Sequence, residues 1–538
     1  MFLIMSADYI SLELRSEFGA LPPSFLPLGN RRLFQHQVKS APAGVRIFLS
    51  LPESFVVEAH DQAWLDQHGV TVLSVPDGLS LGASLVASLN LTEQPLDTPL
   101  QVLFGDTLID PLPDGTDIIA TAKVDDNYDW AVVTEDEDNW LVSSTETPEL
   151  EKYSVVTGYF NFSSPRLLIR CITQSNWSFL NGLSRYNKAK GLETISVHNW
   201  LDFGHANTYY HSKSTFTTQR VFNDLTITRR WIEKSGTHCA KIAGEAKWFE
   251  QLPPMMRQYT PQFLGTSTSE ANADQLTYRL EYLHHTALNE LYVFADLPPL
   301  IWKKILRQCV VFLKDCQKYP ARDGTPHSSI DELLQNKTRA RIKAFCEERG
   351  VSDSKPYLYA TGPGTQDYLE LSISDLICKT TPYLPTKPSA ATLMHGDFCF
   401  SNILYDFRTD RIKVIDPRGI TMDNRFSIFG DIRYDIAKLS HSVLGLYDWI
   451  IAGTHELIMT DNRLEFSIPH FDKMESVQQL FLRLVETHFG LTAVEMYAMQ
   501  IHLFLSMLPL HADQPDRQDA LLANAFRLYT LLPEHTAS

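Results

Sequence analysis

The chain has 538 residues, 44% of them hydrophobic and 11% aromatic, so it is too long for one ordinary core and apolar enough for about two to four domains. Its net charge of −17 argues against a general binder of nucleic acid or of an anionic membrane surface, since both need surplus Lys and Arg. The seven cysteines are scattered and contain no Cys-x-x-Cys, which excludes a disulfide framework or a zinc site and fits a reduced, cytoplasmic setting. No apolar run is long enough to span a bilayer. The opening Met1–Asp8 has no basic region and too short an apolar run for a signal peptide, so it reads as a first buried strand.

From residue 2 to about 205, short apolar strands alternate with helical patterns. The strands are Phe2–Ser6, Val45–Leu49, Val70–Val75, Leu100–Phe104, Ile118–Ala122 and Trp130–Thr134, with helices over Leu33–Lys39 and Leu81–Leu89. That alternation predicts an open α/β, Rossmann-like, mostly parallel sheet covered on both faces, with ligands at the carboxyl ends of its strands. Three stretches lie there. They are Leu21-Pro-Pro-Ser24 through Leu33, the strand ending in Gly105-Asp106, and Asn199-Trp-Leu-Asp202-Phe-Gly204, with Val156-Thr-Gly158-Tyr159 upstream of the last. The stretch Val75-Pro-Asp-Gly78-Leu-Ser-Leu-Gly82 opens a helix, placing the small residues Gly78 and Gly82 against a base or ribose and N-terminal amides against phosphate.

This ordered set resembles the sugar nucleotidyltransferases, whose sheet is of the GT-A kind. The resemblance implies that Asp106 and Asp202 hold the Mg²⁺ that bridges nucleotide and sugar phosphate, with CTP or another nucleoside triphosphate as donor. Two features depart from that family. The first strand runs into Ser6-Ala-Asp8 with few glycines, and the family's lysine maps to Ser24. Arg15, Arg31 and Arg32 are the cations near enough in sequence to replace it. A second reading keeps this fold as a scaffold or a sugar-binding module without transfer chemistry.

Around Asn207 to Thr218 the pattern turns polar, and the expected domains are 1–212 and 213–538, the second split into lobes of about 218–285 and 286–538. Leu225–Arg230 and Trp231–Gly236 read as strands and 239–252 as a helix. Phosphoryl transfer needs a strand lysine on the nucleotide phosphates and a helix glutamate to hold it. Lys234 with Glu245 fits that spacing; Lys241 is the rival, and could equally be an exposed i,i+4 partner of Glu245. Leu276–Leu283 is an alternating strand and connection that resembles a kinase hinge, which implies adenine contacts at Glu281 and Leu283. Helices are expected over Pro298–Tyr319, Ser329–Arg349 and Gln366–Thr380, with Asp331 to Glu348 a solvated helix and helical structure again to about Leu532.

Between them lies Leu393-Met-His395-Gly-Asp397-Phe-Cys-Phe-Ser-Asn402, followed by Lys413-Val-Ile-Asp416-Pro-Arg418-Gly419. Two apolar strands frame a base and two hard oxygen ligands, the parts a Mg²⁺-dependent phosphoryl transfer requires. The stretch resembles the catalytic loop of aminoglycoside phosphotransferases and choline kinases, which form a bilobal, protein-kinase-like α+β fold. The resemblance implies that Asp397 orients the acceptor hydroxyl, that Asn402 and Asp416 hold Mg²⁺ on ATP, and that His395 stabilises the loop. Arg418 is expected near the transferred phosphate or an anionic acceptor, and Asp435 reads as a structural cap or loop anchor.

A kinase makes a phosphate ester and a nucleotidyltransferase consumes one, so the two halves imply consecutive steps. The arrangement resembles bifunctional proteins that make building blocks for bacterial capsule or other surface polysaccharide. The expected partners are a nucleotide and a small acceptor (a sugar, a sugar acid or an amino alcohol), with no nucleic acid and no membrane insertion, and no oligomer is specified. The alternative is a kinase whose N-terminal domain only binds or docks. A glycosyltransferase is disfavoured because no Asp-x-Asp follows the relevant strand.

Overall fold

Buried on both faces, the first strand can be apolar throughout, and β1 (Phe2–Met5) is apolar at all its positions. In the computed structural model of the protein, residues 1–124, 128, 130–134, 140–143, 154–220, 225–237, 240–268, 275–362, 367–468 and 471–532 are described. The chain divides into two compact units, Met1–Thr217 and Thr218–Ser538.

In the first unit β1, β2 (Ile47–Pro52), β3 (Val70–Val75) and β4 (Leu100–Phe104) run parallel in the order β3-β2-β1-β4. The connecting helices are α1 (Leu12–Phe18), α2 (Leu33–Ser40), α3 (Ala59–Gln67) and α4 (Leu81–Leu91). Beyond β4 come β5 (Thr107–Ile109), β6 (Ile118–Ala122), β7 (Ala131–Val133), β8 (Leu141–Ser143) and β9 (Ser154–Phe162). Helices α5 (Pro165–Gln174) and α6 (Phe179–Lys190) follow, then β10 (Glu193–Ser196), β11 (Trp200–Asp202) and α7 (Ala206–Arg220). Strand β9 is antiparallel to both β4 and β6, and β10 is parallel to β6. The sheet is therefore parallel on one side and mixed on the other. A core of Leu3, Phe48, Val102, Phe160, Leu168, Ile172 and Tyr186 lies under α4, α5 and α6.

The glycine-poor stretch after β1 holds α1, whose Leu14 and Phe18 are fully buried. One expectation needs correction here. The polar stretch 207–218 is helix α7, and the unit boundary falls within it. Some of its hydroxyls bond back to its own backbone: Ser214 donates to the His211 carbonyl at 2.7 Å and Thr217 to that of Lys213 at 2.8 Å, while Ser212 donates to the Asp202 carbonyl of β11 at 2.7 Å. Tyr209 on the same helix is fully buried and donates to the Pro27 carbonyl at 2.9 Å.

The second unit opens with an antiparallel sheet of β12 (Leu225–Ile227), β13 (Trp231–Thr237), β14 (Phe263–Thr268) and β15 (Gln275–Glu281), ordered β12-β13-β15-β14. Helix α8 (Ala240–Gln251) crosses it; Cys239, placed in that helix from the sequence, lies outside the described residues. Then come β16 (Thr286–Ala287), α9 (Leu288–Phe294), α10 (Pro299–Gln317), α11 (Lys337–Arg349), β17 (Tyr357–Ala360), β18 (Tyr368–Leu371) and α12 (Ile373–Thr380). Next are β19 (Thr392–Leu393), β20 (Ile403–Asp406), β21 (Arg411–Val414), β22 (Phe429–Gly430), α13 (Ile432–Val443) and α14 (Tyr447–Ala452). The chain closes with β23 (Glu456–Thr460), β24 (Arg463–Ser467), α15 (Phe471–Phe489), α16 (Ala493–Met507) and α17 (Pro515–Thr530).

Helical periodicity misses three features. Of the helix expected over Gln366–Thr380, Gln366 lies outside the described residues, Tyr368–Leu371 is a strand and only Ile373–Thr380 is helical; Ser372 is the N-cap of α12, in a capping box with Asp375. Residues 456–467 form a hairpin in a four-stranded sheet with β17 and β18. Asp331 to Glu348 is not a purely solvated helix, because Lys337, Thr338, Ile342 and Phe345 are buried. Among the described residues one helix, Ala493–His511, is long and apolar enough to cross a membrane by length and composition, contrary to the sequence expectation. It packs against α11, α13 and α17, and 61% of its apolar window is buried inside the protein.

Candidate active sites

The hairpin of β20 and β21 pairs Ile403 with Val414 and so brings Asn402 and Asp416 to the same end. The Ile415 N–H donates to the Asn402 carbonyl at 3.0 Å, closing that end. Asp416 sits at φ +58°, a conformation an L-residue adopts at a cost and one that recurs at functional sites. Its Oδ1 accepts from Lys234 Nζ at 2.6 Å.

Lys234 lies in the middle of β13, opposite Tyr278 on β15. Its Nζ also reaches Glu245 Oε2 at 3.3 Å, and Tyr278 donates to that same oxygen at 2.6 Å. Glu245 is fully buried, whereas Lys241 is mostly exposed and 3.8 Å from the other carboxylate oxygen. The structure therefore puts Lys234 between two carboxylates and leaves Lys241 at the surface. Burial works to lower the Lys234 pKa, but Asp416 and Glu245 outweigh it and raise it, so the ammonium stays charged.

A close backbone approach holds the two halves of this arrangement together. A Cβ added at Gly419, which sits at φ +64°, would fall 2.1 Å from the carbonyl oxygen of Gly244, next to Glu245. One turn further on, Trp248 Nε1 donates to the Met394 carbonyl at 2.8 Å. Helix α8 is thereby fixed to both strands of the polar turn.

Asp397 is part-exposed, and Lys438 Nζ holds its Oδ1 at 2.8 Å. Asn402 Nδ2 donates to the Asp397 backbone oxygen at 2.9 Å and to Oδ2 at 3.2 Å. Burial pushes this carboxyl up, but the Lys438 ammonium prevails and holds it below the usual carboxylate range. His395 Nδ1 accepts from the Asp397 N–H at 3.3 Å, and burial lowers the ring to about 4, so it stays neutral. Asp435 accepts the N–H groups of His395 and Gly396 at 2.6 and 2.8 Å, which makes it the loop's anchor; the cap of α13 is Asp431 instead. Burial raises Asp435 to about 7.

Arg418 donates its backbone N–H to the His395 carbonyl at 2.9 Å, and its side chain meets Met422 Sδ at 3.1 Å. Glu281 ends β15, its N–H bonded to the Gln262 carbonyl at 2.9 Å, and Leu283 is half-buried in the connection to β16. Sequence reasoning gave no role to Lys438, Tyr278 or Trp248. The Asp-x-Ala-Lys pattern of α13 was the available signal for Lys438.

In the first unit β11 pairs with β5 so that Asp202 lies opposite Thr107, directly after Asp106. Phe203 N–H donates to the Asp106 carbonyl at 2.8 Å. A Cβ on Gly204 would lie 2.9 Å from Asp106 Oδ2 and 3.6 Å from Asp202 Oδ1, so both carboxylates converge on that glycine. The loop after β4 is held by Gln37, whose Nε2 lies 2.8 Å from the Thr107 carbonyl and 3.1 Å from those of Phe104 and Gly105. The two aspartates line a cavity of about 350 Å³ with Thr107, Gly158, Trp200 and His205. Burial raises the Asp106 pKa, with His205 acting against it. His205 stacks on Tyr128 at 4.4 Å and Trp130 meets Trp200 edge-on at 5.5 Å, giving the cavity an aromatic rim.

The other residues expected at this site lie elsewhere. Gly78 is exposed in a left-handed turn with nothing near it. Gly82 is packed against protein, since a Cβ there would fall 2.4 Å from the Trp177 carbonyl oxygen, so its smallness serves helix packing. Ser24 is fully buried, its N–H bonded to Ser6 Oγ at 3.0 Å. Arg32 is buried on Asp61 at 3.1 Å and Arg15 lies over the Tyr9 ring. Among the described residues no Lys or Arg lines the cavity, and no cluster of three or more His, Cys, Asp or Glu is placed to hold a metal.

No family model matches the chain, and a comparison with curated proteins finds no match. Among solved structures, it is similar to the nucleoside-diphosphate-sugar pyrophosphorylase from Vibrio cholerae, at 14% identity and a TM-score of 0.33, over 40% of the chain and 99% of that protein. It is similar to the inositol-1-phosphate CTP transferase from T. maritima at 17% identity and a TM-score of 0.31, over 41% and 97%. It is also similar to a thermostable mutant of the aminoglycoside phosphotransferase APH(4)-Ia in complex with ADP and hygromycin B, at 14% identity and a TM-score of 0.36, over 60% and 99%.

Proposed function

We propose that the C-terminal unit is an ATP-dependent small-molecule kinase and that the N-terminal unit converts its product to a nucleoside diphosphate conjugate. The observation that carries the kinase reading is the lysine held between Glu245 and Asp416, on the same compact unit as Asp397 and Asn402. Lys234 binds the nucleotide phosphates. Asp397 orients the acceptor hydroxyl toward the γ-phosphoryl group. The acceptor oxygen forms a bond to that phosphorus, the bond to the β-phosphate oxygen breaks, ADP leaves and the hydroxyl proton passes to Asp397. Lys438 keeps Asp397 ionised and fixed. The Asn402 and Asp416 side chains are hard oxygen donors at one hairpin end, the ligand chemistry Mg²⁺ prefers. When bound there, Mg²⁺ supplies charge neutralisation on the phosphates. Glu281 and Leu283 belong to the adenine-side connection.

In the first unit Asp106 and Asp202 are the paired carboxylates for a second Mg²⁺, with CTP or another nucleoside triphosphate as donor. The product would feed bacterial surface polysaccharide in the cytoplasm. A second reading, a binding or docking module, is favoured by two observations: Ser24 is buried, and among the described residues no Lys or Arg lines the cavity. Two assays on the full chain test the proposal. ATP-dependent phosphorylation of sugars and amino alcohols should be found and be lost in Asp397→Asn. Pyrophosphate release from a nucleoside triphosphate and a sugar phosphate should be found and be lost in Asp106→Asn; silence across all nucleotides would leave the binding module.

A further inference from the structure

Helix α11 brings to the kinase unit a set of cations that the reaction described above does not use. Lys337, at its first position, is only 9% exposed. Its Nζ bonds the phenol oxygen of Tyr434 at 2.9 Å and lies 5.3 Å from that ring's centroid. Tyr434 is itself buried and immediately precedes Asp435, the anchor of the catalytic turn. One turn along α11, Arg341 donates to the Ser506 carbonyl at 2.8 Å. Arg418 completes the group from the turn itself: a Cβ on Gly396, the neighbour of Asp397, would lie 2.6 Å from the Arg418 Cβ.

Among the described residues none of these three cations has a carboxylate partner, whereas Lys438 close by is paired with Asp397. A phenol and a carbonyl oxygen accept hydrogen bonds but do not neutralise charge. The groups act on one another. Burial lowers Lys337 and Arg341, with Tyr434 acting against it and neighbouring cations adding to it, and burial of the Tyr434 phenol is outweighed by Lys337, Lys438 and Arg418, which lower it. Lys337 reaches the catalytic turn through Tyr434, whose neighbour Asp435 holds the His395 and Gly396 N–H groups, and Arg418 packs on Gly396 beside Asp397, so the cluster lies against the turn that carries Asp397. Lys337 is buried without a counter-ion, which is costly, and an anionic ligand reached also by the half-buried Arg341 and Arg418 would remove that cost.

We infer that the acceptor carries an oxyanion, a carboxylate or a phosphate, held by Lys337, Arg341 and Arg418 while its hydroxyl lies at Asp397. Arginine suits this role because its planar fork meets an oxyanion with two parallel N–H bonds. The inference rests on the kinase reading and narrows it, setting neutral sugars and cationic amino alcohols aside.

The test offers the full-length protein, with Mg²⁺ and ATP, acceptors that differ in charge alone: glucose with glucuronate, and glycerol with glycerate and with glycerol 3-phosphate, plus choline. The expected result is phosphorylation of an anionic member with KM roughly tenfold or more below its neutral counterpart, the carboxylate and phosphate arms separating the two oxyanions. Lys337→Met and Arg341→Ala should each raise that KM by about tenfold while KM for ATP stays within about twofold. Preference for a neutral or cationic acceptor, or acceptor KM values untouched by both variants, would overturn the inference. If nothing in the series is turned over, equilibrium binding of glucuronate, glycerate and glycerol 3-phosphate to the protein loaded with a non-hydrolysable ATP analogue decides. No binding, or equal binding by the double variant, overturns it. Failure of the wild-type protein to bind the ATP analogue instead overturns the kinase reading itself.

Discussion

The two candidate sites treat their carboxylates differently. In the C-terminal unit each one is matched: Asp416 by Lys234, Asp397 by Lys438, and Asp435 by two backbone N–H groups. In the N-terminal unit Asp106 and Asp202 converge beside an aromatic rim, and no Lys or Arg among the described residues lines their cavity. The first arrangement is preorganised, with its charges fixed before any ligand arrives. The second depends on what the ligand or a metal brings. Burial raises Asp106, which is what happens to a carboxyl with little compensating charge, and a divalent cation would reverse the shift.

The largest effect expected to sharpen this contrast is at Asp397. Asp397→Asn should lower kinase kcat by roughly 10²–10⁴-fold, the range of a positioned base, with no change in pyrophosphate release. Asp106→Asn should do the reverse, removing pyrophosphate release by about 10²-fold or more and leaving the kinase rate alone. An equal loss of both activities in either variant would break the separation of sites.

Glu245 tests preorganisation through stability. Glu245→Ala removes the buried partner of Lys234 and Tyr278 and should cost about 3–5 kcal/mol in denaturant unfolding of the full chain. A loss below about 1 kcal/mol would mean that Asp416 alone satisfies Lys234.

Asp435 tests it through pH. Burial raises this carboxyl to about 7, and the ionised form accepts one N–H on each oxygen. Protonation turns one acceptor into a donor facing an N–H. Kinase kcat should therefore fall as pH drops below about 7, and Asp435→Asn should flatten that limb at a rate roughly tenfold lower. For stability the sign is opposite to that of a salt-bridged acid. The folded pKa lies above the unfolded value of about 4, so folding takes up a proton at this group. Its contribution declines as pH rises through that window, and Asp435→Asn should remove that part of the slope.

Legibility from sequence followed periodicity and local chemistry. Val70–Val75, Leu100–Phe104 and Ile118–Ala122 are strands with the expected bounds because short apolar runs between turn residues have few other uses. Asn402 and Asp416 could be read together because they flank one hairpin, and Asp397 because it lies five residues before Asn402, whose side chain bonds it. Helix α7 was hidden because its Ser and Thr residues resemble a linker until some of their hydroxyls are seen bonding back to the helix. Lys337 and Arg341 were hidden because a charged helix reads as solvated; only the packing of α11 against α16 shows which of its charges face inward. Gly82 misled because a small residue serves close packing as readily as ligand approach.

The smallest effect tests the weaker side of the comparison. Ser24 stands where a phosphate-binding lysine would be expected, yet it is fully buried and its hydroxyl has no hydrogen-bond partner among the described residues. Only its backbone N–H is engaged, by Ser6. Ser24→Ala should therefore shift stability by no more than about 0.5 kcal/mol and leave pyrophosphate release unchanged. Ser24→Lys should destabilise the chain, because an ammonium cannot be buried there without a partner. If Ser24→Lys instead folds and raises pyrophosphate release, this turn opens toward the cavity and the missing cation is the site's limiting feature. If it only destabilises, the cavity binds phosphate by other means or binds none.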